Sequence, residues 1–202
     1  MIKKNVLGGF VLSLVGFCLP SVIFAAVDIF PGTSIQSVIN ANTAGTVYNL
    51  KAGVHRMQTV TPKSGDTING ESGAILSGAR VLTGWVQSGN TWYVTGQTQQ
   101  GPWSPEFEGG WQLCRAGHPR CAYPEDVFMD NVLKKHVGSL SAVTAGTWFF
   151  DYAADRIYVG DNPNGKLVET SVTGTAINGN ATNVTIQNLI IEKYATPASS
   201  AT

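Results

Sequence analysis

Between Gly45 and Gly78 the chain alternates short apolar and polar runs with glycine-containing corners, and no helical period links them. Thr46, Tyr48 and Leu50 alternate with Val47 and Asn49, so one set faces inward and the other outward. Ala52-Gly53 predicts a turn, and Val54–Val60 predicts the next extended piece. Pro62 lacks a backbone donor, and Ser64-Gly65-Asp66 predicts a further corner. Thr67-Ile68, Asn69-Gly70 and Ala74–Leu76 continue the rhythm, although no strict repeat aligns. Ahead of this stretch, Thr33-Ser34-Ile35-Gln36 has the form of a capping box. The Thr33 hydroxyl is expected to take a free backbone N–H while Gln36 reaches back. Ile35, Val38 and Ile39 then share one helical face, and Gly45 is expected to end the segment. Such a helix would cover the open end of a stack whose first strands otherwise expose unpaired edges.

From Gly84 to Gly165 the pattern changes. Trp85, Trp92, Trp103, Trp111 and Trp148 all fall here. Trp92–Val94, Val127–Met129 and Trp148–Phe150 read as strands. Phe150–Val159 reads as a hairpin with Ala153–Asp155 in its turn, and the whole region as an antiparallel insertion beside the coils. Coil texture returns with Leu167–Val172 and with Asn183–Tyr194, whose alternation changes phase at Asn188, as at a strand corner. Corner asparagines can stack between coils, but Asn188 alone shows no ladder.

The segments TSIQSVINA, GTVYNLKAGVH and SGDTINGESGAILSG, in that order, resemble the N-terminal part of right-handed parallel β-helix proteins of the pectate lyase-like superfamily. The resemblance covers Phe30–Thr83 and Leu167–Tyr194. His55 departs from it, standing where an aromatic such as Tyr is usual. The hairpin around Trp148–Val159 is similar to those of some β-helix carbohydrate-active proteins. The resemblance implies an all-β solenoid with a short capping helix and an antiparallel insertion. The expected division is a leader at 1–25, cap and first coils at 26–83, the insertion at 84–166 and resumed coils at 167–202. A solenoid needs a cap at each end. A plausible one is present only at the N-terminal side, so the chain reads as the front of a longer protein. The alternative is a complete small domain whose insertion covers the open end.

Composition supports an ordered exported chain. Hydrophobic residues make up 43% and charged residues 13%, the opposite of a disordered balance, and 23 glycines suit frequent turns. Met1–Ala25 reads as a secretory signal, with Lys3 and Lys4, an apolar run over Val6–Leu19, Pro20 and a small residue at Ala25. A membrane anchor is the weaker reading because the run is short and broken by glycines. Lipidation at Cys18 is disfavoured by Phe17. Without Lys3 and Lys4, the 13 basic residues become 11 against 13 acidic ones, a balance of −2. Nucleic acid and anionic membrane surfaces therefore lose support as partners. The expected location is secreted or periplasmic in a bacterial envelope, as a monomer when complete. The sequons at Asn180 and Asn183 then read as turn residues. Cys114 and Cys121 predict a local disulfide. The competing reading, a metal site with His118 and Asp126, lacks the usual ligand number and spacing.

No position matches a catalytic motif of the resembled superfamily, so its catalytic groups are expected beyond residue 202. A lyase would use a carboxylate-held cation such as calcium and a Lys or Arg base there; no cofactor is evident in this chain. A glycoside hydrolase would need two spaced carboxylates. The one polar concentration is Glu106–Asp130, with Glu106, Glu108, Arg115, His118, Arg120, Glu125, Asp126 and Asp130 beside Trp103, Trp111 and Tyr123. Aromatics stack on sugar rings and carboxylates accept hydroxyl hydrogen bonds. Trp103, Trp111, Tyr123 and Asp126 are thus candidate glycan contacts, the competing reading being that these aromatics form the insertion's own small core. His55 and His136 read as structural. The expected partner is polysaccharide, acted on by a lyase or glycoside hydrolase. The rival is a non-catalytic adhesin or glycan-binding module.

Overall fold

The computed structural model describes residues 26–99, 114 and 116–196. Trp103, Trp111, Glu106, Glu108, Arg115 and the expected leader at 1–25 lie outside them. The described residues are mostly β-strand with one α-helix. In chain order come β1 (Val27–Ile29), α1 (Ile35–Ala41), β2 (Val47–Leu50), β3 (Gly53–Arg56), β4 (Thr67–Gly70) and β5 (Ala74–Ser77). Next are β6 (Ala79–Val81), β7 (Val86–Ser88), β8 (Thr91–Val94), β9 (Val127–Met129), β10 (Val132–Leu133) and β11 (Lys135–His136). The last are β12 (Thr147–Asp151), β13 (Arg156–Val159), β14 (Val168–Ser171), β15 (Thr185–Gln187) and β16 (Ile190–Glu192).

Two sheets are wholly parallel, in the orders β1-β2-β4-β15 and β16-β5-β3. Their register stacks like on like. Tyr48 lies beside Ile68, which lies beside Ile186, while His55, Leu76 and Ile191 form a second row. The outward row carries amides. Asn188 Nδ2 donates to Asn69 Oδ1 (2.8 Å), Asn69 Nδ2 to Asn49 Oδ1 (3.2 Å), and Asn49 Nδ2 to Asp28 Oδ1 (3.1 Å). Asn188 therefore does have ladder partners. Corners are held by side chains as well. Asp66, fully buried, accepts backbone N–H bonds from Gly45, Thr46 and Lys63 at 2.8–3.1 Å.

Two glycines allow close approach of neighbouring chain segments. A Cβ on Gly70 would lie 2.3 Å from the Asn188 carbonyl oxygen, and one on Gly78 would lie 2.7 Å from Tyr194 Cα. Only a hydrogen fits at these two close approaches.

The helix forms as expected on its buried face, Ile35 and Ile39, with Val38 packed alongside. Burying each Ile contributes about 1.5–3 kcal/mol, which a seven-residue helix needs because it is too short to persist alone. Its cap differs from the expected box. Ser34, not Thr33, is the N-cap, accepting from Ser37 N (3.3 Å), and Asn42 rather than Gly45 ends the helix. Gln36 does not reach back. Its Oε1 accepts from Thr61 N (2.7 Å) and ties the helix to the following loop.

Two more expectations change. Val54–Val60 is not continuous strand: β3 stops at Arg56, and Met57 takes a left-handed φ of 54° before Val60 makes an isolated bridge to Ile177. Leu167–Val172 does not rejoin the parallel stack. Its strand, β14, pairs antiparallel with β6 and β9 in the sheet β10-β9-β14-β6. All four residues of β14 are buried, so its sequence looks like a coil strand although its partners run the other way.

The remaining five-stranded sheet, β11-β12-β13-β8-β7, contains the expected hairpin of β12 and β13, with Asp155 at φ 51° in the turn. Its core gathers Trp148, Phe150, Ile157 and Val159 with Val127 and Met129. His55, the departure noted above, is fully buried, with Nε2 2.9 Å from the Lys51 carbonyl.

The parallel and antiparallel parts meet at a buried ion triad. Glu169 on β14, 1% exposed, pairs with Lys193 Nζ (2.6 Å) beyond β16 and with the Arg56 guanidinium on β3. Burial alone would raise the Glu169 pKa, but the hydrogen bonds from Lys193 and Arg56 prevail and lower it.

Candidate functional site

The loop that carries the candidate residues is built from consecutive turns. Cys121 N donates to the His118 carbonyl (3.3 Å) and Tyr123 N to the Arg120 carbonyl (3.2 Å). The Cys114–Cys121 disulfide, expected from the spacing, closes this loop. The Asp126 carbonyl then accepts from Ser171 N (2.9 Å), which fixes the loop's exit on β14. On the far side, β9 and β10 form a hairpin through Asp130 and Asn131, both at positive φ, a conformation these two residue types tolerate. That turn delivers Lys134, Lys135 and His136 opposite the loop.

Between the two walls lies an open cavity of about 310 Å³. Tyr123 and Asp126 line it, as do His118, Arg120, Lys135 and His136. Two of the four residues singled out from sequence are thus brought together; Trp103 and Trp111 are outside the described residues. His136, which reads from sequence as structural, also lines the cavity, with its neighbours Lys134 and Lys135. A Lys-Lys-His run after a tight turn was the available signal, but only the fold shows that it faces Asp126.

Tyr123 is buried, and its ring is already engaged. It stacks on Tyr152 (5.5 Å between centroids), meets His136 edge-on (5.7 Å) and lies under the Arg120 guanidinium (4.3 Å). Tyr152 in turn stacks on Phe150 at 4.1 Å and donates its hydroxyl to Glu125 Oε2 at 3.1 Å. Burial, with Glu125 beside it, pushes the Tyr152 hydroxyl well above its ordinary pKa. Tyr123 therefore does form part of the insertion's packing.

Electrostatics distinguish the cavity's polar groups. Burial raises the Asp126 pKa, and the neighbouring Glu125 carboxylate raises it further. His136 stacks face to face on Trp148 (3.7 Å, 15°), and both ring nitrogens are buried without a hydrogen-bond partner. Burial, aided by Arg120, lowers its pKa to about 3, so the ring is neutral at pH 7. Lys134 is held by Asp161 (3.1 Å), and its carbonyl accepts from Trp148 Nε1 (3.2 Å), which anchors the wall. A neutral imidazole offers one donor and one acceptor. Together with the Asp126 carboxyl it can accept and donate hydrogen bonds to a polyhydroxylated ligand.

Among the described residues no group of three or more His, Cys, Asp or Glu side chains is placed to hold a metal ion. Nor, among them, is any helix long and apolar enough to cross a membrane.

The chain matches no protein-family model and no curated protein. Among solved structures it is similar to one described as "The complex structure of XylC with xylose". The TM-score is 0.61 at 16% identity, over 81% of this chain and 32% of that one. A second, described as "Glycoside hydrolase", gives a TM-score of 0.45 at 12% identity, over 73% of this chain and 43% of that one. At these identities the first likeness concerns the β-rich fold. The chain spans about a third of the length of that structure.

Proposed function

We propose that this chain is the N-terminal part of an exported, polysaccharide-directed protein. Its scaffold is a right-handed parallel β-helix of the pectate lyase-like type. The observation that carries the reading is the fold likeness over 81% of the chain to a protein solved with xylose bound. The in-register parallel strands and the Asp28–Asn49–Asn69–Asn188 ladder support the β-helix scaffold. The disulfide fits a non-reducing compartment, and with it the reading of residues 1–25 as a cleaved leader.

Within this chain, saccharide contact is assigned to the cavity between the Cys114–Cys121 loop and β11. Asp126 and His136 supply hydrogen-bonding groups, and stacking on a sugar ring is proposed for Trp103 and Trp111 on sequence grounds alone. No bond-breaking step is assigned to these residues, and catalysis, whether lyase or hydrolase, is assigned to coils outside them.

The test is affinity electrophoresis of the exported protein in gels containing xylan, pectate or a neutral glucan, with calcium or EDTA. At least one polysaccharide is expected to retard the wild type, and the Asp126→Ala and His136→Ala variants less. Unretarded migration in every gel would overturn the proposal.

A further inference from the structure

Three asparagines in this chain are each followed by glycine: Asn69-Gly70, Asn164-Gly165 and Asn178-Gly179. Such a pair can react with itself, because glycine has no Cβ to keep its backbone nitrogen away from the asparagine side chain. Whether it does so in the folded chain depends on how firmly the two groups are held. Asn69 is held on both sides. Its Nδ2 donates to Asn49 Oδ1 (3.2 Å), its Oδ1 accepts from Asn188 Nδ2 (2.8 Å), and Gly70 lies within β4. Asn178 is exposed but tied. Its Oδ1 accepts from the Thr61 hydroxyl, and its backbone N–H donates to the Val60 carbonyl (3.0 Å).

Asn164 differs from both. With Gly165 it sits in an exposed turn that the Lys166 N–H closes onto the Pro163 carbonyl (3.1 Å). Gly165, third in that turn, takes φ 73°, and the turn's own hydrogen bond uses the fourth N–H rather than the third. The Asn164 backbone N–H donates to Asn162 Oδ1 (3.0 Å). Among the described residues, neither the Asn164 carboxamide nor the Gly165 N–H has a hydrogen-bond partner. A Cβ at Gly165 would meet nothing within 4 Å, so the carboxamide has room to swing onto the Gly165 nitrogen.

We propose that Asn164 is a site of spontaneous deamidation in the folded protein, and that the fold spares Asn69 and Asn178. The Gly165 nitrogen gives its proton to hydroxide and attacks Asn164 Cγ. The bond from Cγ to the side-chain nitrogen breaks, and ammonia leaves with a proton from water, which restores the hydroxide. The resulting succinimide takes up one water at either carbonyl and opens to aspartate or isoaspartate. The isoaspartate product carries the main chain through the side-chain methylene and lengthens the turn by one carbon. The residues that follow the turn clamp the hairpin of the cavity wall, since Lys166 Nζ (3.1 Å) and Leu167 N (3.0 Å) both donate to Asp130. Conversion at Asn164 therefore loosens that clamp.

The experiment ages the purified full chain in mildly alkaline buffer, native or unfolded in urea, and follows all three asparagines by peptide mass mapping with enzymatic labelling of isoaspartate. In the native protein, conversion at Asn164 should be at least about tenfold faster than at Asn69 or Asn178. In urea the three rates should converge to within about threefold, because the dipeptide is the same and the fold no longer distinguishes them. Hydrogen exchange at the Leu167 amide should be faster in aged than in fresh protein, and Asn164→Gln should remove that difference. Conversion at Asn164 no faster than at the other two sites in the native protein would overturn the proposal. So would a preference for Asn164 that survives unchanged in urea, which would assign it to the local sequence. Unchanged Leu167 exchange in protein converted at Asn164 would overturn the loosened clamp.

Discussion

Replacing Glu169 with Gln tests the joint between the parallel and antiparallel parts. Glu169 is 1% exposed and is shared by Lys193 and Arg56, which approach from elements on the other side of the joint. Removing one partner of a buried ion pair costs about 3–5 kcal/mol, because the remaining charge keeps its desolvation without its compensation. Here the cations retain other support. Lys193 keeps Glu192 at 3.3 Å, and the Arg56 side chain is 26% exposed. The loss is therefore expected at the lower end, about 3 kcal/mol. For a domain of this size that is a fall in Tm of about 6–12 °C.

Urea unfolding should show a lower midpoint with an unchanged m-value, marking lost stability rather than a changed denatured state. The pH dependence supplies a second check. Because the folded Glu169 pKa lies below the ordinary value of 4.5, its stabilisation is complete above that value and fades as pH falls through the folded pKa. Wild type and Glu169→Gln should thus converge in acid. A loss under about 1 kcal/mol at pH 7, or a gap that does not narrow between pH 5 and pH 3, would refute the reasoning.

Other consequences can be checked alongside. Gly70→Ala places a Cβ into the backbone of Asn188 and Gly78→Ala into that of Lys193 and Tyr194, and each should cost about 3 kcal/mol or more in urea titrations. Asp66→Ala strands the buried N–H groups of Gly45, Thr46 and Lys63 and should cost about 2–4 kcal/mol by the same assay. His136 is held neutral down to about pH 3, whereas unfolded His protonates near 6.5. Stability should therefore fall as pH drops through 6.5 toward 3, and His136→Phe should flatten that fall in thermal melts at stepped pH. Reducing Cys114–Cys121 opens a short loop and should lower stability by about 2–3 kcal/mol, with the shifts seen by NMR confined to the cavity wall at His118–Tyr123.

What could be read from the residues alone divides along physical lines. Period-two alternation and glycine corners identified β2, β4, β5, β12 and β13, because each signal is local. The Asn ladder was beyond such reading. Asn49, Asn69 and Asn188 come into contact only through strand register, and Asn188 reaches its partner across 119 positions. β14 was misassigned because a strand buried on both faces carries no mark of its partners' direction. The helix cap slipped by one residue because Thr33 and Ser34 are both competent caps, and Gln36 was drawn away by Thr61. At the site, Tyr123 and Asp126 were visible as an aromatic beside a carboxylate. His136 reads there only as structural, since its place on the cavity wall comes from stacking on Trp148 across the β11–β12 pairing.

Saccharide binding is proposed between the disulfide loop and β11. Titrating the ¹⁵N-labelled protein with the oligosaccharide of whichever polysaccharide retards it tests this. Saturable shifts are expected, centred on Tyr123, Asp126 and His136, and lost in Asp126→Ala while the Ile68–Ile186 contacts persist. Saturable shifts elsewhere with these three unmoved, or an affinity unchanged by Asp126→Ala, would contradict it.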